Sequence, residues 1–346
     1  MKMEMNDLAH LNIDEVKMIC ELIESLKHIY PKQNSVGVVS EKTQNEYINE
    51  AQRIFRQRKI NGNSLSDVVN STTKKSTFFK RVAALKYYII WIGSTAAMTL
   101  SEKYCEDSLH NIKIAIRDIN ELHSIINNGL VGTHEKRKSK RTSLKGLPHD
   151  WLELICNHNL DSKYRRALLV MCLTGCRPVE LVKGVTISLS EDSENNNSLV
   201  EFEINGAKLS DTKGQPIRKL SYTYEPSNKL LGALIDATNL IDAKQITIFI
   251  ESAVNFTTEI KRIGATLWPL HKESVTSYSI RHQIASNFKK YLNGDDVSKA
   301  LGHASPKTKK SYGSASQSKG KAPEISISAS REINQPPLKS DELDNQ

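Results

Sequence analysis

The segment Leu173–Leu181, LTGCRPVEL, combines a helix end, a helix start and a charged side chain between them. Gly175 is typical of the residue that follows a helix C-terminus, and Pro178 suits the first turn of the next helix. Because Arg177 precedes a proline, its backbone is driven out of helical geometry, beside a helix N-terminus. Free backbone donors and a permanently charged planar fork together suit a phosphate group. The alternative is that Arg177 forms a structural salt bridge with Glu180.

The sequence on either side predicts helices around a short hairpin. Residues Asp150 to Leu173 are expected to form one helix. Apolar and polar residues alternate in Leu199–Ile204 and Arg218–Tyr224 around a turn-rich segment, which predicts a β-hairpin. Apolar residues at every fourth position of Thr276–Leu292 predict a helix with one buried face. We therefore expect a mainly α protein with a small antiparallel β-sheet.

Residues with possible chemistry lie in and after these elements. Tyr278 and Arg281 are three positions apart and share a helix face, whereas His282 points about 100° away from Arg281. In Leu301–Gly313, LGHASPKTKKSYG, a glycine closes one short helix, and Ser305 and Pro306 are expected to open another that contains Tyr312.

Taken in order, five of these residues resemble the catalytic series of the tyrosine recombinase (phage integrase) family: Arg177, Lys208, Arg281, His303 and Tyr312. The matching motifs are TGCRPVEL, SYSIRHQIAS, ALGHAS and KTKKSYG. The intervals are 104 residues between the arginines, 22 to the histidine and 9 to the tyrosine. This resemblance covers residues 147–312 and implies a two-domain architecture, with a helical core-binding domain and an α+β catalytic domain.

The resemblance and the chemistry of a phosphodiester together suggest a role for each residue. Arg177 and Arg281 would neutralise the charge that grows in the pentavalent transition state. Tyr312 would be the nucleophile and form a covalent 3′-phosphotyrosine without metal or ATP. A lysine on the hairpin would protonate the leaving oxygen, and we favour Lys208 over Lys213. His303 would hydrogen-bond a non-bridging oxygen.

Tyr278 stands where the resembled family commonly has a histidine. A phenol with a reference pKa near 10 stays protonated at neutral pH, so we expect Tyr278 to act in catalysis as a hydrogen-bond donor. The alternative is a tyrosine packed in the core. Glu180 and His282 are expected to support the catalytic groups, with a core histidine as the alternative for His282.

The upstream half reads as helical, with helices expected at Asn12–Tyr30, at Glu41–Arg58 with Ser40 as a possible cap, at Thr77–Gly93 and at Cys105–Asn127. The predicted organisation is an N-terminal helix (1–34), a helical DNA-binding core domain (35–131), a basic linker (132–146), a catalytic domain (147–315) and a flexible tail (316–346). The tail is either dispensable or docks on a neighbouring protomer through its aliphatic residues Ile325, Ile327 and Leu338.

The linker contains six Lys or Arg residues against one Glu between positions 135 and 145. Without periodic apolar residues, such a stretch is either a solvated charge run or a set of phosphate contacts. We predict DNA contacts from the hairpin residue Lys213 and from five linker residues, namely Lys136, Arg137, Lys138, Lys140 and Arg141.

Composition limits the alternatives. The chain has 346 residues, a formal charge of +9 and five scattered cysteines, and it lacks an apolar run long enough for a membrane helix. Neither a metal-ligand cluster nor a phosphate-binding GxxxxGK[ST] loop is legible, so no cofactor or metal is expected. The scattered cysteines and the lack of a membrane helix indicate a cytoplasmic protein without a membrane partner. The resemblance implies that it is nucleoid-associated and bacterial.

The expected function is site-specific recombination or integration of DNA for a mobile genetic element. The resemblance implies double-stranded DNA as partner, a tetrameric synapse of this chain, and accessory DNA-bending or directionality proteins. Alternatives with the same catalytic set are a type IB topoisomerase and a telomere resolvase. A catalytically impaired DNA-binding regulator is a third.

Overall fold

The computed structural model describes residues 12–29, 39–132, 140–158, 160–192, 197–207, 209, 213–306, 308–319 and 324–333. It divides into two compact units, which we call the helical unit (Met1–Arg137) and the mixed unit (Lys138–Gln346). The described residues are mainly helical with one small antiparallel sheet, so the predicted fold class is confirmed at this level. No helix in the described ranges is long and apolar enough to cross a membrane.

The helical unit contains five helices: α1 (Ile13–Ile29), α2 (Glu41–Asn61), α3 (Leu65–Asn70), α4 (Lys75–Glu102) and α5 (Glu106–Asn128). Their apolar faces meet in one core, in which Leu22, Ile54 and Leu85 are fully buried. A side chain at Gly93 would begin 3.2 Å from Ala115 and 3.3 Å from Leu22, so any larger residue there would require these side chains to shift by a few tenths of an ångström.

Three expectations for this unit need correction. Helix α4 does not end at Gly93 but continues to Glu102, because residues after the glycine, such as Ala97 and Leu100, are also buried. Ser40 precedes α2 but makes no side-chain capping bond. Helix α3 was not predicted, although Ser64 and Asp67 form a capping box at its start.

The mixed unit opens with a short 3₁₀ helix (Lys140–Leu144), followed by α6 (Trp151–Asn157), α7 (Arg165–Thr174) and α8 (Pro178–Lys183). The single helix expected over residues 150–173 is therefore wrong. The chain turns between α6 and α7, where the Ser162 hydroxyl accepts from the backbone of Tyr164. Side chain–backbone bonds of this kind compete with helical ones.

Five strands form the sheet, in the order β4-β1-β2-β3-β5 and with every neighbouring pair antiparallel. They are β1 (Val185–Asp192), β2 (Asn197–Asn205), β3 (Ile217–Thr223), β4 (Gln245–Ile248) and β5 (Ile325–Ala329). The predicted hairpin is confirmed: β2 pairs with β3, with Phe202 opposite Leu220. Strands β1 and β4 were not predicted.

The remaining helices are α9 (Lys229–Thr238), α10 (Leu240–Ala243), α11 (Ala253–Leu267), α12 (Ser277–Tyr291) and α13 (Gly294–Ala300). Helix α12 is the predicted helix with an every-fourth apolar pattern, and Ile280, Ile284 and Phe288 are buried as expected. Polar residues on its other faces are buried too, including Gln283 and Ser286. This helix therefore lies inside the unit.

The segment expected to be a flexible tail is partly structured. Residues Ile325–Ala329 form β5 along β3 of the same chain, with Ile327 opposite Leu220. Ile325 and Ile327 pack against the core of the mixed unit. The period-two alternation of ISISA supplies one apolar face, which is sufficient for an edge strand. Leu338 lies outside the described residues.

Candidate active site

Arg177 lies at the junction that the sequence predicted. Gly175 ends α7 with a left-handed φ of 62°, and Arg177 is extended (φ −84°, ψ 149°) before Pro178 opens α8. Glu180, one turn into α8, accepts both the Arg177 backbone N–H at 2.7 Å and its Nη1 at 2.7 Å. The salt bridge considered as an alternative thus exists. It leaves the Arg177 side chain 11% exposed, so this guanidinium is still accessible.

Arg281 is fixed by the ends of two helices. It extends from α12 and is 1% exposed. Its Nη1 donates to the Gly175 carbonyl and its Nη2 to the Leu301 carbonyl, each at 2.5 Å. Its Nε has no hydrogen-bond partner among the described residues. Burial and the nearby charge of Arg177 lower the pKa of Arg281, as expected for a cation that lacks a carboxylate of its own.

Tyr312 directly follows a short 3₁₀ helix (Thr308–Ser311). The expectation that it lies within a helix is therefore wrong. Its ring lies 4.8 Å from the guanidinium carbon of Arg281. Burial alone would raise the pKa of the phenol. The charges and hydrogen bonds of Arg281 and Arg177 outweigh burial, and the net pKa falls below the ordinary 10.0. Two cations thus favour the phenolate, the nucleophilic form of this side chain.

Two histidines enclose the tyrosine ring. His303 stacks on it with centroids 5.3 Å apart and 28° between planes, and His282 is tilted, also with centroids 5.3 Å apart. His303 is 3% exposed, and its Nε2 lies 3.5 Å from Arg281 Nη2. Burial and the positive charges of Arg281, Arg177 and Arg218 lower the pKa of His303 to about 2. His303 is therefore neutral at physiological pH, and one ring nitrogen can donate a hydrogen bond.

Arg218 is a member of this cluster that sequence reasoning missed. It lies on β3, is fully buried, and donates from Nη2 to Glu180 Oε2 at 2.7 Å. The missed signal was its register, since Arg218 occupies the inward face of β3 together with Leu220 and Tyr222. A charged residue in an apolar strand position usually has a buried partner.

Charge is unbalanced in this pocket. Three guanidinium groups lie near the carboxylate of Glu180: those of Arg177 and Arg218 form ion pairs with it, and that of Arg281 acts on it through its charge. Burial would raise the pKa of Glu180, but these three positive charges hold it well below its usual range. With His303 neutral, the cluster carries an excess of positive charge, which favours an anionic ligand.

The chain after Tyr312 is tied to α12. Lys289 donates to the carbonyl of Gly313 at 2.6 Å. Gln283 donates to the Gln317 carbonyl at 2.9 Å, and the Lys319 backbone donates to the side chain of Asn287 at 2.9 Å. The segment after Tyr312, which includes the 3₁₀ helix Ala315–Gln317, is thus fixed against α12.

Two other predicted site residues, Tyr278 and Lys213, are exposed. Tyr278 is 44% exposed, and no hydrogen bond in the described part of the chain joins it to Arg281. It is therefore not a core tyrosine. Lys213 is exposed. Lys208 lies outside the described residues.

Most of the predicted linker contacts also lie outside the described ranges, namely Lys136, Arg137 and Lys138. Lys140 and Arg141 begin the 3₁₀ helix of the mixed unit. The Arg141 carbonyl accepts from the side chain of Gln317 at 3.3 Å, so this end of the linker lies near the segment that follows Tyr312.

No group of three or more potential metal ligands occurs among the residues that the structure describes. Comparison with protein-family models, with curated proteins and with solved structures finds no match for this chain.

Proposed function

We propose that this chain is a DNA strand-transferase of the tyrosine recombinase type, which cleaves and rejoins DNA through a covalent 3′-phosphotyrosine on Tyr312. The observation that carries the proposal is the position of the Tyr312 phenol against Arg177 and Arg281, in a buried pocket with surplus positive charge. A nucleophile and two fixed anion-binding forks are the groups that attack on a phosphodiester requires.

In the proposed reaction the two guanidinium groups bind the non-bridging oxygens of the scissile phosphate. The Tyr312 oxygen attacks phosphorus, the phosphorus–O5′ bond breaks, and the 5′-oxygen leaves as a hydroxyl after gaining a proton. We assign that proton to Lys208, with Lys213 as the alternative. Neutral His303 donates a hydrogen bond to a phosphate oxygen. Attack by a DNA hydroxyl on the phosphotyrosine reverses these steps and needs no energy source.

The biological setting follows from the resemblance. We propose a helical core-binding domain and a catalytic domain that both contact double-stranded DNA, with the basic linker on phosphates. We further propose a tetrameric synapse, accessory DNA-bending or directionality proteins, and a cytoplasmic, nucleoid-associated location in a bacterium that carries a mobile element.

Capture of the covalent intermediate tests the proposal without knowledge of the target site. A pool of nicked duplexes with randomised sequence is incubated with the protein, and DNA that remains attached after denaturation is sequenced. The parental protein should enrich one sequence, whereas Tyr312→Phe should bind the same DNA and yield no adduct.

The other outcomes discriminate between the alternatives. Relaxation of supercoiled plasmid without sequence preference favours a type IB topoisomerase. Closed hairpin ends as products favour a telomere resolvase. Sequence-specific binding without any adduct favours a DNA-binding regulator, and an adduct formed by Tyr312→Phe excludes Tyr312 as the nucleophile.

A further inference from the structure

Arg218 is buried at a cost that its partners must offset. The side chain is fully buried on β3, where the neighbouring inward positions carry Leu220 and Tyr222. A guanidinium in such a place is strongly destabilising unless it is paired and hydrogen-bonded. Its Nε donates to the Ala300 carbonyl at 2.8 Å, and its Nη2 donates to Glu180 Oε2 at 2.7 Å.

The bond to Glu180 orients a carboxylate that in turn orients Arg177. Oε2 of Glu180 accepts from both Arg218 Nη2 and the Arg177 backbone N–H, while Oε1 accepts from Arg177 Nη1. Arg218 thereby fixes the rotation of the carboxyl plane. The oriented carboxylate in turn holds the guanidinium of Arg177 through Oε1.

The bond to Ala300 acts on a second part of the site. Ala300 ends α13, and the next carbonyl, that of Leu301, accepts from Arg281. Two buried arginines therefore hold successive carbonyls of the turn that carries His303. Gly302 makes this approach possible, because a Cβ there would lie 2.9 Å from Arg218 Nη1, and its φ of 66° also favours glycine.

We propose that Arg218 is a positioning residue of the strand-transfer reaction: through Glu180 it sets the direction of the Arg177 guanidinium, and through Ala300 it fixes the turn that carries His303. This inference rests on the proposed function.

A DNA-free measurement tests the link to Glu180. Arg218→Met removes the positive charge that contributes most to the low pKa of Glu180. Arg281 and Arg177 remain as cations near the carboxylate, and the titratable side chains of Cys176 and His303 also lie near it. With ¹³C-labelled glutamate, assigned through Glu180→Gln, the parental carboxyl should stay ionised from pH 8 to pH 4. In Arg218→Met it should take up a proton within that range. A carboxyl signal in the variant that matches the parental chemical shift at every pH would overturn the proposal.

A kinetic measurement tests the consequence for chemistry. On the enriched nicked duplex, Arg218→Met should cleave at least tenfold more slowly in a single turnover, with DNA affinity within twofold of the parent. The cleavage rate of Arg218→Met should decrease further as the pH is lowered below 7, because protonated Glu180 no longer holds Arg177. The parental cleavage rate should not show this decrease. Lys219→Met is the matched control, since Lys219 is the next residue, partly exposed and paired with Glu201 and Glu203.

A second variant covers the case in which Arg218→Met does not fold. Arg218→Lys retains the charge but cannot reach both Ala300 and Glu180 with one ammonium group. Glu180 should then stay ionised while cleavage slows, and parental cleavage by Arg218→Lys would contradict positioning. If the parental protein forms no adduct, the proposed function fails, and the Glu180 titration still decides whether Arg218 controls that carboxylate.

Discussion

Substitution of Gly313 by alanine is expected to disable Tyr312 without removing any catalytic group. Gly313 follows the nucleophile and lies against α12. A Cβ at this position would be 2.0 Å from Ser286 Oγ and 2.5 Å from the His282 carbonyl oxygen. The serine tip can rotate, but the carbonyl belongs to a buried helix and cannot move.

The size of the shift follows from these distances. Ordinary contact begins at 3.4 Å, so the backbone at residue 313 must move by about 0.9 Å to clear the His282 carbonyl oxygen. Tyr312 is the adjacent residue and must follow. A misplacement of about 1 Å can reduce an enzymatic rate by about 10²-fold. Overpacking of this kind also costs about 1 to 3 kcal/mol of stability.

Single-turnover cleavage of nicked DNA, combined with thermal unfolding, measures both effects. We expect Gly313→Ala to bind DNA normally and to cleave about 100-fold more slowly. Gly232→Ala is the control, because a Cβ at Gly232 in α9 meets nothing within 4 Å. Adding Ser286→Ala to Gly313→Ala should not restore cleavage, since the collision with the carbonyl remains. Cleavage by Gly313→Ala within threefold of the parental rate would refute this reasoning.

Three further predictions concern other parts of the mixed unit. The pKa of His303 is about 2 in the folded chain and near 6.5 when the side chain is exposed, so the unfolded chain binds one more proton between these two pH values. The unfolding free energy should therefore decrease as the pH is lowered, by up to about 1.4 kcal/mol per pH unit. Chemical denaturation of His303→Gln from pH 7 to 4 should show a smaller decrease. Ile327→Asp places a charge on the inner face of β5 and should lower the unfolding free energy by about 1 to 3 kcal/mol in urea titrations, whereas exposed Ser328→Asp should have little effect. Tyr278→Phe should keep the parental melting temperature, because the Tyr278 side chain is 44% exposed. Loss of a hydrogen bond from the hydroxyl to a phosphate should slow cleavage about 5- to 30-fold, and cleavage at the parental rate would exclude that role.

The sequence predicted elements whose residues repeat with a clear period. The hairpin of β2 and β3 and the helix α12 are examples, because alternating or every-fourth apolar residues face one core. It also predicted the extended Arg177 between Gly175 and Pro178, since these two residues restrict the backbone locally. Local rules of this kind need no knowledge of the tertiary structure.

The sequence could not predict features that depend on distant partners. Arg218 in a strand resembles any exposed arginine until Glu180 and Ala300 are placed beside it. Residues Ile325–Ala329 resemble a polar tail in the sequence. Their alternating apolar residues form a strand because β3 offers an edge with which they pair. The break between α6 and α7 is different, because its signal is local: Asn157, Asn159, Asp161 and Ser162 are turn-forming residues, and they were overlooked.

The links that define the arginine cluster join residues far apart in the chain. Arg218 is 38 residues from Glu180 and 82 from Ala300, and Arg281 is 106 from Gly175. Closing such long loops is costly in entropy, so contacts of this kind form late in folding. On refolding from denaturant, helical circular dichroism should therefore return before the cleavage activity, and the reactive site should be among the last parts of the molecule to form.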